Sequence, residues 1–270
     1  VKPQRTHSHM QAHTRKALKP TSRRTVKQSA VKQMGAAKHG KKKELTMEEQ
    51  ALAAKIAAAK KAALEEERAC RLICSAAPGA NTEDKMVALT FDDGPSPEYT
   101  PKVLALLKEH NIHATFCLVG RQVKKYPELV KQIVAEGHKI ANHTMNHNEF
   151  LTNKSDQKLK NEILAEQALI TAVVPEVSIE YFRAPGGNWN HHIRKVVTGW
   201  GMKPLGWTVD SKDWQTPGVE SIIKTVNKQL HPGGVILMHD AGGDRSETIA
   251  ALKRLIPSLE QDGYKFGFPG

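Results

Sequence analysis

Met86-Val87-Ala88-Leu89-Thr90-Phe91-Asp92-Asp93-Gly94-Pro95 joins an apolar run to two adjacent carboxylates and a Gly-Pro turn. The run Met86–Phe91 predicts a mostly buried β-strand, which Gly94-Pro95 must end. Taken alone, Asp-Gly reads as a solvated turn, because it is among the commonest turn dipeptides. Two anions side by side nevertheless repel each other unless a positive group sits between or beside them. The fold class and the meaning of the pair both turn on whether other strands end in the same way.

They do. Further strand-like runs are ATFCLVG (114–120), HKIAN (138–142), YFRA (181–184), LGWTV (205–209) and GVILM (234–238). Helix-like stretches separate them near Pro101–His110, Arg121–Glu136, Ser155–Val173, His191–Gly201, Val219–Leu230 and Ser246–Gln261. This β-α-β-α rhythm predicts a parallel sheet, open or closed into a barrel. Such sheets place ligands at the carboxyl ends of their strands. Here one strand runs into Asp92-Asp93-Gly94 and another into His143-Thr144-Met145-Asn146-His147. The next three run into Arg183-Ala184-Pro185-Gly186-Gly187, Asp210-Ser211-Lys212-Asp213-Trp214 and His239-Asp240. Five polar strand ends predict one shared rim.

His143 and His147, four apart, can lie on one face of a helical turn and offer two imidazole nitrogens to one ion. Alone, that spacing is a weak signal, and paired surface histidines are the more common case. An added carboxylate completes a two-histidine, one-carboxylate set of the kind found in catalytic zinc centres. One of the paired aspartates can then ligate a cation, which allows the other to stay ionised as a general base.

The charge is concentrated at one end. The 270-residue chain carries +12, and residues 1–43 hold 13 Lys and Arg with no Asp or Glu, which leaves the remainder just on the negative side of neutral. The basic character therefore belongs to an arm and gives no licence to read the whole chain as a nucleic-acid binder. With one Leu and no aromatic residue, the arm 1–43 has too little apolar surface to offset ordering and is expected to be disordered. Thr46-Met47-Glu48-Glu49 forms a capping box that opens an Ala-rich charged helix within 44–74, and residues 75–84 read as a linker. The catalytic domain is expected over 85–270. No apolar run reaches the ~18–20 residues that span a bilayer. Cys117 lies in an apolar run as a packing thiol, while Cys70 and Cys74 leave the redox compartment open.

TFDDGP, HTMNH, RAPGG, DSKDW and ILMHD, in this order, resemble the motifs of the polysaccharide deacetylases with the NodB-homology domain (carbohydrate esterase family 4). The resemblance covers about Lys85 to Phe266. It implies a distorted (β/α) barrel, preceded here by the basic arm and the helix, and one divalent metal ion, zinc by preference. By that resemblance Asp92 is the general base and Asp93, His143 and His147 are the metal ligands. Arg183 holds the Asp92 carboxylate, Asp210 pairs with His239, and His239 is the general acid. Trp214 and Leu237 wall the acetyl pocket, and the backbone N–H of Gly186, where the family often has Tyr, binds the oxyanion. Trp189 reads either as a replacement stacking surface or as core, and Asp213 as a residue that fixes the Asp210–Trp214 loop.

The function implied is hydrolysis of N-acetyl groups on N-acetylglucosamine glycans, in chitin oligosaccharides or peptidoglycan. Acetylxylan O-deacetylation and a non-catalytic wall-binding role are the alternatives. The expected protein is a monomer, secreted or wall-associated, with a targeting segment outside this chain. Its partners are the acetylated glycan and, through the arm, anionic wall polymers. No specific nucleic acid is expected, since the arm lacks stacking aromatics.

Overall fold

The computed structural model describes residues 85–270; of the residues before them it describes only Ala54, which is helical. The arm 1–43, the helix expected within 44–74 and the linker 75–84 otherwise lie outside the described residues.

Eight strands form one parallel sheet: β1 (Lys85–Asp92), β2 (Thr115–Leu118), β3 (Lys139–Asn142), β4 (Tyr181–Phe182), β5 (Lys203–Pro204), β6 (Val209–Asp210), β7 (Gly234–His239) and β8 (Tyr264–Phe266). Their order is β5-β4-β3-β2-β1-β7-β6, with β8 paired to the start of β1. The sheet curls into a distorted (β/α) barrel whose seam between β5 and β6 is not closed by strand pairing among the described residues. Helices α1 (Thr100–Glu109), α2 (Gly120–Lys125), α3 (Pro127–Ala135), α4 (Asp156–Val173), α5 (His191–Gly199), α6 (Val219–Gln229) and α7 (Ser246–Gln261) connect the strands.

The period of two along β1 explains its near-continuous burial. Val87, Leu89 and Phe91 pack outward into the large strand–helix core with Phe116, Leu118 and Ile140. Ala88 points the other way, into a small inner cluster with Cys117, Ala141, Tyr181, Leu205 and Val235. A strand covered on both faces reads as a solid apolar run. The small residues of the inner cluster leave room in the barrel for one long side chain, and the fully buried Arg183 takes it.

Three departures from the sequence reading have local causes. The stretch Arg121–Glu136 is two helices, because Pro127 opens α3 at its first turn and disfavours helix at Tyr126 before it. LGWTV is not one strand: β5 ends at Pro204 and β6 begins at Val209, so Gly206, Trp207 and Thr208 lie in the connection. The short β8 was not foreseen; three residues, Tyr-Lys-Phe, are too few to show a period.

Candidate active site

The carboxyl ends of β1, β3, β4, β6 and β7 converge on one cleft of about 660 Å³. Strand register sets the first neighbours. Asp92 stands opposite Cys117 of β2 on one side and His239 of β7 on the other. Both Asp92 and His239 line the cleft, together with Asp93, His143 and His147.

Arg183 is the cation that the Asp92 end of the pair requires. Its Nη1 donates to Asp92 Oδ1 at 2.6 Å and to Thr90 Oγ1 at 2.8 Å, and its Nη2 to the Gly206 carbonyl at 2.8 Å. Trp207 lies against the guanidinium, 5.6 Å from ring centroid to Cζ. Burial pushes the Asp92 carboxyl up, but Arg183, His143 and His239 outweigh it and hold it below the usual carboxylate value. Removing either partner of a buried ion pair leaves an uncompensated charge, at a cost of about 3–5 kcal/mol.

Asp93 faces the two histidines. Its Oδ1 lies 3.1 Å from His147 Nε2 and 3.7 Å from His143 Nε2. The ligand atoms of Asp93, His143 and His147 all fall within 4.8 Å of one another. His143 Nδ1 donates to the Arg183 carbonyl at 2.8 Å, which fixes the tautomer and leaves Nε2 as the acceptor facing the cleft. Burial lowers the His143 imidazole below its usual value against the pull of Asp92 and Asp93, so the neutral, ligating form is favoured. Asp93 Oδ1 is buried without a hydrogen-bond partner, an unsatisfied acceptor that a cation would satisfy. These residues fit a divalent metal with open positions for water.

The HTMNH segment is not the helical turn expected from its spacing. It is a loop in which Thr144 and His147 adopt left-handed backbone, with φ of 71° and 55°. Asp93 is left-handed as well, at 76°. Strained backbone of this kind persists where surrounding structure over-determines it, and here it aims two of the three ligands. The close approach has one further requirement: a Cβ at Gly242, itself at φ 77°, would run into the Asp93 carboxylate.

The partner of His239 corrects the sequence reading. Asp210 does not hold this imidazole; Asp213 does. Asp213 Oδ1 accepts from His239 Nδ1 at 2.8 Å, and Oδ2 accepts from the His239 backbone N–H at 2.8 Å and from Thr248 Oγ1 at 2.8 Å. Register gives the reason: Asp210 stands opposite Leu237, two residues short of His239. The chain then passes through left-handed Lys212 into a 3-10 turn, Asp213–Gln215, which carries Asp213 to His239. The Asp210 carboxylate instead pairs with Lys212 Nζ at 2.7 Å. Burial disfavours charge on His239, yet the bond to Asp213, with Asp92 and Asp93 nearby, raises its pKa to about 9.

Gly186 lines the cleft at φ 61°. The N–H groups after it are used, Gly187 to the Ala184 carbonyl and Asn188 to that of Pro185. Among the described residues nothing accepts from the Gly186 N–H, so it remains for a ligand. The side chain of Glu149 lies 3.5 Å from the place a Cβ on Gly186 would take. Leu237, 4% exposed, and Trp214, 48% exposed, also line the cleft. Trp189 is partly buried and packs against the core, edge-on to Phe182 at 5.5 Å. Trp207, Arg121 and Glu149 line the cleft without having been singled out from sequence. Trp207 was hidden inside a run read as strand, and the other two belong to no motif.

A family model described as polysaccharide deacetylase matches residues 79–205. Over 184 residues the chain is 45% identical to a peptidoglycan-N-acetylglucosamine deacetylase of Bacillus cereus, covering 67% of this chain and 85% of that protein. The chain belongs to the polysaccharide deacetylase family. A chitooligosaccharide deacetylase of Sinorhizobium fredii is 39% identical over 188 residues, 66% of this chain and 87% of its own. The solved structure of the Bc1960 peptidoglycan N-acetylglucosamine deacetylase superposes with a TM-score of 0.66 at 34% identity, covering 70% of this chain and 87% of that one. This polysaccharide deacetylase thus shares its barrel with solved relatives, while residues before 79 fall outside the family match.

Proposed function

We propose that this chain is a metal-dependent deacetylase that hydrolyses the N-acetyl amide of N-acetylglucosamine units in chitin-type oligosaccharides or peptidoglycan. One observation carries the reading: Asp92 and His239, held by opposite charges in Arg183 and Asp213, flank the Asp93–His143–His147 triad in a single cleft. The relatives named above supply the substrate class.

Asp93, His143 and His147 would hold the ion, zinc by preference for two imidazoles and a carboxylate. When bound, the ion supplies Lewis acidity and lowers the pKa of water from 15.7 toward about 7. The residues of the chain do the rest. Asp92, ionised and oriented by Arg183, accepts the proton of the attacking water. The free Gly186 N–H donates to the oxyanion that forms on the acetyl carbonyl, an effect of about 3 kcal/mol for one well-placed donor. Leu237 and Trp214 enclose the methyl group and limit water. His239, charged because Asp213 holds its Nδ1, gives its Nε2 proton to the leaving amine, which departs poorly without one.

We place the enzyme at or outside the cell surface, where peptidoglycan lies. The basic arm 1–43 would hold it to anionic wall polymers. Acetate release from chitooligosaccharides, peptidoglycan fragments and acetylxylan, with and without chelator, tests the proposal. Chelator-sensitive release from the first two is expected; release from acetylxylan alone, or release that ignores the chelator, would overturn it.

A further inference from the structure

Glu166 of α4 is fully buried, and no cation pairs with it among the described residues. Its Oε2 has no hydrogen-bond partner. A buried carboxyl without a counter-charge is costly, and an apolar side chain would pack the same place more cheaply. Its Oε1 shows what it does there. It accepts from the backbone N–H of His143 at 3.4 Å, a second acceptor beside the Leu118 carbonyl at 3.0 Å.

The neighbouring turn of α4 completes the pattern. The Glu162 carbonyl accepts from Met145 N–H at 2.7 Å, and the Glu162 carboxylate takes Asn146 N–H at 3.0 Å and Asn146 Nδ2 at 3.1 Å. Asn142 Nδ2 donates to the Ile163 carbonyl at 2.8 Å, and Asn142 Oδ1 in turn accepts from Thr144 N–H at 3.1 Å. The backbone N–H groups of Thr144, Met145 and Asn146 therefore end on α4 or on a residue that α4 holds, and that of His143 is shared between the Leu118 carbonyl and Glu166. Such a template is needed because Thr144 is left-handed, a conformation that a β-branched residue rarely adopts.

We propose that Glu166, with Glu162, is a positioning residue that holds the His143–His147 loop in its ligating shape. It rests on the reading of His143 and His147 as metal ligands. Outer-sphere partners of metal-ligating side chains typically contribute 10–100-fold in affinity.

The test is the zinc dissociation constant of the metal-stripped full chain, measured by competition with a chromophoric chelator. Glu166→Gln keeps the acceptor and the volume and should bind zinc within about threefold of the parent. Glu166→Leu keeps only the volume and should bind about 10–100-fold more weakly. Glu162→Ala, at a partly exposed site, should weaken binding in the same direction and decides the matter alone should Glu166→Leu fail to fold. Folded Leu and Ala variants with parental zinc affinity would overturn the proposal, as would a folded Gln variant as weak as Leu. A parent chain that binds no divalent metal would instead sink the metal reading itself.

Discussion

Asp92 and His239 stand directly opposite each other in the parallel register of β1 and β7, so the two groups proposed for proton transfer meet at one strand end. Each is biased by its own buried partner. Arg183 favours the ionised Asp92 carboxylate, and Asp213 favours the protonated His239 imidazole. Asp92→Asn should lower amide hydrolysis by about 10²–10⁴-fold while bound metal stays stoichiometric, since it removes a base and spares the ligands. His239→Ala should impair the amide far more than an aryl acetate, whose leaving group needs no proton. Equal losses on the two substrates would count against His239 as the acid.

The pH dependence follows from Asp213. In the folded protein His239 titrates at about 9, against 6.5 for an ordinary imidazole. The pair therefore stabilises the fold fully below about pH 6.5, and that contribution is lost as the pH rises through 9. Activity should share the alkaline limb, because on the proposed mechanism only the protonated imidazole can act as the acid. Asp213→Asn removes the carboxylate and leaves burial to act on His239, so the alkaline limb of kcat should move to lower pH. Asp210→Asn should leave the limb in place. A profile that moves with Asp210 and ignores Asp213 would reverse the correction made from the structure.

His143→Ala or His147→Ala should remove most bound metal, since two protein ligands hold zinc poorly. Gly242→Ala should act on the same centre from behind. Its Cβ would press on the Asp93 carboxylate, and a non-glycine residue at φ 77° adds strain of about 1–3 kcal/mol. Metal content by mass spectrometry after dialysis reads both effects. Stoichiometric metal in the His143→Ala/His147→Ala double variant would refute the assignment.

The barrel and most of its rim were legible because they depend on local patterns. Apolar runs that stop at Asp92, Asn142 and His239 announce both the strands and the place where their ends meet. What sequence could not supply was register. Nothing in DSKDW says that Asp210 stops two residues short of His239 and that a left-handed Lys212 returns Asp213 to it. The shape of the HTMNH loop was hidden for a related reason: its backbone is dictated by α4, some twenty residues on, and not by its own spacing. Glu166 gave no signal at all, since in a helix of alternating charge it looks like one more solvated acid.

The arm 1–43 invites a separate experiment, because its 13 cations and no anions contrast with a body close to neutral. Such a segment attracts anionic polymers through sequence-independent electrostatics that salt screens, with a Debye length of about 8 Å at physiological ionic strength. It carries none of the residues assigned to the cleft. Deleting residues 1–43 should therefore leave kcat/KM on a short neutral chitooligosaccharide within about twofold, the size expected for a change remote from the chemistry. The same deletion should weaken sedimentation with intact cell walls, and added salt should weaken the full chain's sedimentation in the same way. A full chain whose wall binding ignores both the deletion and the salt would assign the arm to spacing the enzyme from a surface, with no share in holding it there.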